Sequence, residues 1–161
     1  MQYKIQKNQI NNRSHIGGFT VTETLIAIAI MLTLTFIVLS VFTNFRNHES
    51  LEKDAGLVVE VIRQAKNLTT NSKNSTEYGV HINSGDITLF TGTSYLAGST
   101  TNQVYIFNGG VTATTSLSGG GSNIIFKRLS GQTDNNGTII LSSAFSTTTK
   151  TINVYKTGLA E

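Results

Sequence analysis

The sequence lacks cysteine and proline altogether. The absence of cysteine excludes disulfides, thiolate metal sites and cysteine nucleophiles. The absence of proline leaves the turns to glycine, asparagine and aspartate, whose backbones accept the dihedral angles that tight turns need. The 161 residues have the length of one domain. Glycine, serine, threonine and asparagine are concentrated in the second half, which is typical of short strands joined by polar loops.

Acidic residues are missing from the first 18 positions, where Lys4, Lys7 and Arg13 are the charged residues. From Phe19 onward nine acidic residues balance nine lysines and arginines, so the net charge of +3 belongs to the N-terminal segment. Removal of that segment would leave a neutral chain. The basic pI therefore gives no reason to expect a nucleic-acid partner.

The longest apolar run covers residues 19–42 and contains one charged residue, Glu23. At about 1.5 Å per residue a helix of this length crosses a bilayer, whereas a soluble chain of this size could not bury it. We predict a transmembrane helix over 19–42. The basic residues before it should stay in the cytoplasm and direct the C-terminal part outward, giving a single-pass protein of the cytoplasmic membrane.

The cleavage pattern of an ordinary secretory signal does not fit this segment. Such a signal has a shorter apolar core, about 7–15 residues, with small residues after it. Here the small pair Gly17-Gly18 stands before the apolar run. A cut at this pair would remove the basic segment and retain the helix.

Residues 43–70 have the pattern of an amphipathic helix that ends near Leu68. Apolar or small residues recur at spacings of three and four: Leu51, Ala55, Val58, Ile62, Ala65 and Thr69. This face needs a partner, and the segment that follows is the obvious one.

Residues 71–161 are predicted to form a β domain with seven short strands. The β-prone runs are Tyr78–Ile82, Ile87–Thr91, Val104–Phe107, Val111–Thr115, Asn123–Leu129, Thr138–Ser142 and Thr151–Tyr155. Asn83–Asp86 and Asp134–Gly137 have the composition of hairpin connections. We therefore predict an α+β fold in which the amphipathic half-helix packs on one antiparallel sheet of about six or seven strands.

The stretch Gly18-Phe19-Thr20-Val21-Thr22-Glu23-Thr24-Leu25, with its basic leader and apolar continuation, resembles the class III signal peptide of type IV pilins and type II secretion pseudopilins. The resemblance implies a pilin-like fold, cleavage of the leader 1–18 after Gly18 by a prepilin peptidase, and N-methylation of Phe19. The family commonly has leucine or isoleucine where Val21, Thr22 and Thr24 stand. The start of this helix is thus more polar than usual.

The second half is similar to one subgroup, the minor pseudopilins of general secretion pathway H and FimT (GspH/FimT) type. The matching pieces, in chain order, are Ile62–Lys66, Tyr78–Val80, Ile124–Phe126 with Gly131, Gly137–Leu141 and Ile152–Gly158. This resemblance implies a minor structural subunit of a pilus or pseudopilus at the cell surface or in the periplasm. Its partners would be other pilin subunits and an assembly platform membrane protein with its ATPase.

Glu23 is the residue of most interest within the apolar run, because a charge deep in a bilayer costs about 3 kcal/mol. The family resemblance implies that its carboxylate pairs with the Phe19 amine of a neighbouring subunit during assembly. The alternative is that Glu23 only interacts with the helix dipole. The threonines at 20, 22, 24, 33 and 35 are expected to bond to carbonyls of their own helix rather than across helices.

No pattern in the sequence predicts a catalytic, cofactor or metal site, or a small-molecule substrate. His15, His48 and His81 lack ligand spacing, and Asp134–Gly137 lacks the distal glutamate of a calcium loop. We therefore expect a structural protein and not an enzyme. Two alternatives stay open: a signal-anchored surface binding module whose β domain holds a ligand, and a membrane-anchored enzyme.

Overall fold

The chain folds into two compact units, one ending at Leu39 and one spanning Ser40–Glu161. The computed structural model describes residues 18–71 and 75–161, with the backbone alone at 40–47. The elements are helix α1 (Val21–Thr70) and seven strands: β1 Tyr78–Ile82, β2 Asp86–Thr91, β3 Gln103–Ile106, β4 Val111–Leu117, β5 Asn123–Phe126, β6 Gly137–Ser143 and β7 Thr149–Val154. The predicted α+β class is confirmed.

The first unit contains the apolar part of α1. Residues Val21–Leu39 have a mean hydropathy of 2.2, and none of them is buried. Among the described residues this is the one helical segment that is long and apolar enough to cross a membrane, by length and composition. It suits a single membrane span or a signal anchor.

The second unit contains the amphipathic part of α1, and the predicted face is confirmed. Leu51, Val58, Ile62 and Ala65 are buried, Ala55 is half-buried, and Thr69 is buried at the helix end. The helix ends two residues later than expected. There the Thr69 hydroxyl donates to the carbonyl of Ala65 (2.9 Å) and accepts the N–H of Tyr78 (3.0 Å), which links the last turn to β1.

The seven strands form two antiparallel sheets, so the prediction of one sheet is wrong. Sheet A has the strand order β3-β2-β1-β5, and sheet B the order β4-β6-β7. The edge of β4 that does not pair with β6 faces a turn rather than a strand. There the Ala113 N–H donates to the carbonyl of Ser84 at 2.8 Å. A hydrogen bond to the turn between β1 and β2 thus links this edge of sheet B to sheet A.

The end of β5 and the connection from β5 to β6 also differ from the prediction. β5 ends at Phe126 instead of Leu129, because Leu129 and Gly131 both have φ near 64° and turn the chain back. Lys127 and its neighbour Arg128 therefore lie in a turn and not on a strand. The segment Asp134–Gly137 is not a hairpin connection, since it leads from β5 in sheet A to β6 in sheet B.

One apolar core is shared by α1 and both sheets. Sheet A is also covered on its outer face, where the Phe90 ring lies over Gly79 and contacts Tyr95 edge-on at 5.7 Å. A Cβ on Gly79 would lie 2.8 Å from the carbonyl oxygen of Ile124, which explains the glycine. The amphipathic half-helix therefore packs on β structure, as predicted.

Candidate processing and assembly site

The start of α1 is fixed by Thr20. Its hydroxyl oxygen accepts the N–H of Glu23 at 3.2 Å, and its carbonyl accepts the N–H of Thr24 at 3.2 Å. Thr20 is therefore the N-cap, and Glu23 is the third helical residue. Thr-x-x-Glu is the sequence pattern of a capping box. Gly18 and Phe19 lie before the helix.

Gly18 has a backbone and surroundings that any residue could occupy. Its φ lies outside the left-handed region, and no atom of the described residues lies within 4 Å of a Cβ built on it. Phe19 beside it is 81% exposed. The fold thus explains Gly79 but gives no reason for glycine at position 18.

Glu23 is exposed in the first helical turn. An acid at this position interacts favourably with the helix dipole, by about 0.3–1 kcal/mol, so the simpler of the two predicted roles is compatible with the geometry. Within residues 18–71 and 75–161, no basic side chain forms an ion pair with its carboxylate. The carboxylate can therefore accept a partner from another molecule.

The threonines of the apolar segment divide into two groups. Thr24, Thr33 and Thr35 each donate to a carbonyl three or four residues earlier at 2.8 Å, as expected. Thr20 instead caps the helix, and its hydroxyl lies 3.1 Å from that of Thr22. The sequence analysis missed the cap, although the Thr-x-x-Glu spacing indicates it. The leader residues Lys4, Lys7 and Arg13 lie outside the described residues.

The second unit holds a buried acid that the sequence analysis also missed. Asp54 is 2% exposed, and its two carboxylate oxygens accept the backbone N–H and the side-chain amide of Asn108 at 2.8 and 2.7 Å. This pair ties α1 to the turn between β3 and β4. Asp54 lies three residues after Leu51, on the apolar face, and that position was the available indication.

Two open grooves flank the exposed side of α1 at Gly56. The groove toward β7 has a volume of about 460 Å³ and contains acids paired with bases: Lys150 binds Glu52, and Arg63 lies 3.4 Å from Glu60. The groove on the other side has a volume of about 520 Å³ and includes the exposed Ile106. The ion pairs of the first groove make it a mixed surface rather than a concentration of one charge.

His81 has a structural environment. Its Nδ1 and Nε2 atoms meet the amide oxygens of Asn123 and Asn83 at 2.6 and 3.0 Å, and its ring stacks on Tyr95 at 3.9 Å. In the part of the chain that the structure describes, no three histidine, aspartate or glutamate side chains are grouped so that they could hold a metal ion. His15 lies outside that part.

The phenol of Tyr155 donates to the carboxylate of Glu161 at 2.7 Å. This hydrogen bond, and then the negative charge of the carboxylate, raise the pKa of Tyr155 above its ordinary value. The backbones of Asn153 and Glu161 also exchange two hydrogen bonds, at 2.7 and 3.1 Å. The last residues are therefore held along β7.

No family model, curated protein or solved structure matches the chain. The pilin resemblance consequently depends on the residues quoted for it, chiefly those from Gly18 to Leu25. The structure adds an α+β architecture and an exposed apolar helix near the N-terminus.

Proposed function

We propose that this chain is the precursor of a minor structural subunit of a type IV pilus or type II secretion pseudopilus. It inserts in the cytoplasmic membrane with its N-terminus inside and is cut after Gly18 by a prepilin peptidase. The new amino group on Phe19 is then methylated. An assembly platform membrane protein and its ATPase polymerise it with other pilin subunits through α1.

One observation carries this proposal: the Gly18–Phe19 bond stands outside the helix, directly before a capped apolar segment. Every described residue from Gly18 to Leu39 is exposed. Apolar side chains of this number are stable only in lipid or against other apolar helices. A polymerising helix requires its whole apolar segment and the loss of the basic leader. A cut at Gly18 would give both.

Glycine at position 18 supports the same proposal. Since neither the backbone conformation nor the packing requires glycine there, recognition by another protein is a direct reason for it. A narrow peptidase subsite would accept glycine and reject a branched side chain. Glu23 is then the third helical residue of the mature subunit, about one helical turn from the new amine.

The minor-subunit part of the proposal depends on the second unit. Three of the pieces that resemble the GspH/FimT type fall within β1, β5 and β6, and the piece Ile152–Gly158 begins in β7 and continues into the turn after it. Gly131 occupies a turn with φ 64°, where an added Cβ would meet side-chain atoms of Lys66 and Thr70. These pieces thus coincide with elements that build the core and with a turn that contacts α1.

Cross-linking tests the polymerisation directly, because the chain has no cysteine of its own. A single cysteine in place of Leu32, which is 65% exposed in the apolar segment, reports whether neighbouring helices meet. With a second cysteine placed in the apolar helix of another pilin subunit, oxidation in intact cells of the natural host should then produce covalent heterodimers in sheared filaments. The unsubstituted chain is the control for non-specific products. A monomeric protein in the membrane fraction, with its leader intact, would instead favour the signal-anchored binding module.

A further inference from the structure

We propose that Thr20 is a positioning residue for leader removal, because its side chain sets the helix start and keeps the Gly18–Phe19 bond outside the helix. This inference rests on the proposed function, since it concerns how the peptidase gains access to that bond. Thr20 lies after the bond that is cut, so this role belongs to a residue of the mature chain and not of the leader.

The hydrogen bonds of the first turn of α1 begin at Thr20. The Thr20 carbonyl is the first to accept a helical N–H, that of Thr24, and the Thr20 hydroxyl accepts the N–H of Glu23. Within the described residues, no hydrogen bond engages the carbonyls of Gly18 and Phe19. The backbone on both sides of the predicted cut is therefore free of the helical ladder.

A Gly18 carbonyl that is not hydrogen-bonded within the helix is more accessible to hydrolysis. Water must add to the carbonyl carbon of Gly18 while the bond to the Phe19 nitrogen breaks. Gly18 then becomes the carboxylate end of the leader, and the Phe19 nitrogen takes up a proton and becomes the new amine. A peptidase reaches this carbonyl most readily in exposed, non-helical chain, and local unwinding would otherwise reduce the reactive fraction.

Gly18 is an alternative N-cap for α1, and the cap at Thr20 competes with it. Glycine is about as good an N-cap as threonine, so Gly18 would be the next cap if the hydroxyl of Thr20 were lost. Phe19 would then become the first helical residue, and the bond to be cut would enter the first turn. The apolar residues that follow favour this extension, since they already form helix.

The experiment compares three single variants of the full-length precursor in membranes that contain a prepilin peptidase. Thr20→Val keeps the shape and removes the cap, Thr20→Ser keeps the cap, and Thr33→Val removes a hydroxyl that donates to the carbonyl of Ile30 within the helix. The initial rate of leader removal should fall in Thr20→Val, by at most about fivefold, because loss of a typical cap of about 1 kcal/mol changes the ratio of the two helix starts by that factor. The other two variants should be cut at the rate of the unsubstituted chain.

A second measurement does not depend on the peptidase. The Cα chemical shifts of Gly18 and Phe19 in the uncut precursor, in detergent micelles, should move toward helical values in Thr20→Val alone. Equal cutting rates in Thr20→Val and Thr33→Val, or unchanged chemical shifts, would overturn the inference and leave the proposed function intact. An unsubstituted precursor that is not cut after Gly18 would overturn both.

Discussion

Replacement of Asp54 by alanine should destabilise the second unit by about 2–3 kcal/mol. The carboxylate is 2% exposed and accepts two hydrogen bonds from Asn108, at 2.8 and 2.7 Å. A hydrogen bond to a charged group contributes about 1.5–3 kcal/mol. Two such bonds set an upper limit of about 6 kcal/mol. The expected loss is smaller because Asn108 is exposed, so water replaces the lost acceptor, and because removing the acid also removes a buried charge.

The assay is urea or thermal unfolding of the full-length protein in detergent, followed by the near-ultraviolet circular dichroism of its tyrosines. The chain has five tyrosines and no tryptophan, and every tyrosine from Tyr78 onward lies in the second unit. A loss of this size lowers the melting temperature by roughly 10 °C for a unit of this length. Asn108→Ala should cost less than Asp54→Ala, because it removes the side-chain amide and keeps the backbone N–H that also donates to Asp54, and the double variant should cost little more than Asp54→Ala alone.

The matched control is Glu60→Ala, which removes an acid from the same helix. Glu60 lies 3.4 Å from Arg63 and is 65% exposed, so its loss should change stability by less than about 0.5 kcal/mol. Equal effects of the two alanine variants would refute the reasoning that burial makes Asp54 structural.

Three further predictions concern single sites. Glu23→Gln should leave leader removal unchanged and lower the amount of this subunit in sheared filaments about tenfold or more, because losing one member of a buried charge pair costs about 2 kcal/mol or more. An unchanged amount of the subunit in sheared filaments would contradict the pairing role. Gly79→Ala should destabilise the second unit by about 1–3 kcal/mol, since its Cβ would meet an aromatic ring and a backbone carbonyl. Gly85→Ala, with open space around it, serves as the control in the same unfolding assay. The raised pKa of Tyr155 adds stability that is present below the ordinary tyrosine pKa and is lost as the pH rises through the raised value. An absorbance titration should show one tyrosine ionising at lower pH in Glu161→Gln, and superimposable curves would exclude the interaction.

Local pattern was sufficient for the elements of this fold. The spacing of apolar residues from Leu51 to Thr69 predicted the buried helix face, because a helix repeats every 3.6 residues whatever packs on it. Composition likewise predicted a strand from Asn123, and the alternate residues Ile124 and Phe126 are buried in β5. Glycine and asparagine marked the turn after β1 correctly, since the Asn83 N–H donates to the Asp86 carbonyl at 2.9 Å.

Strand pairing was beyond local pattern. The choice between one sheet and two depends on which edges meet, and the bond from Ala113 to Ser84 shows an edge occupied by a distant turn. The same limit explains the error at Asp134–Gly137, where turn composition was correct but the flanking strands pair elsewhere.

The residues of the candidate site and of its surroundings also differ in whether local sequence pattern or distant contacts reveal their role. The residues around Gly18 are contiguous, so their pattern is visible in the sequence, and the cap at Thr20 follows from local spacing. Asp54 becomes recognisable as structural only when the turn containing Asn108 is brought beside it. The environment of His81 likewise depends on Tyr95 folding back over sheet A.

The most direct test of the central claim is the mass of the intact protein extracted from the membranes of its natural host. We predict a chain that begins at Phe19 and carries one added methyl group. Gly18→Val, whose Cβ would meet no atom of the described residues within 4 Å, should retain the leader in full. A mature chain that begins at any other residue, or a full-length chain with the leader still attached, would contradict the account.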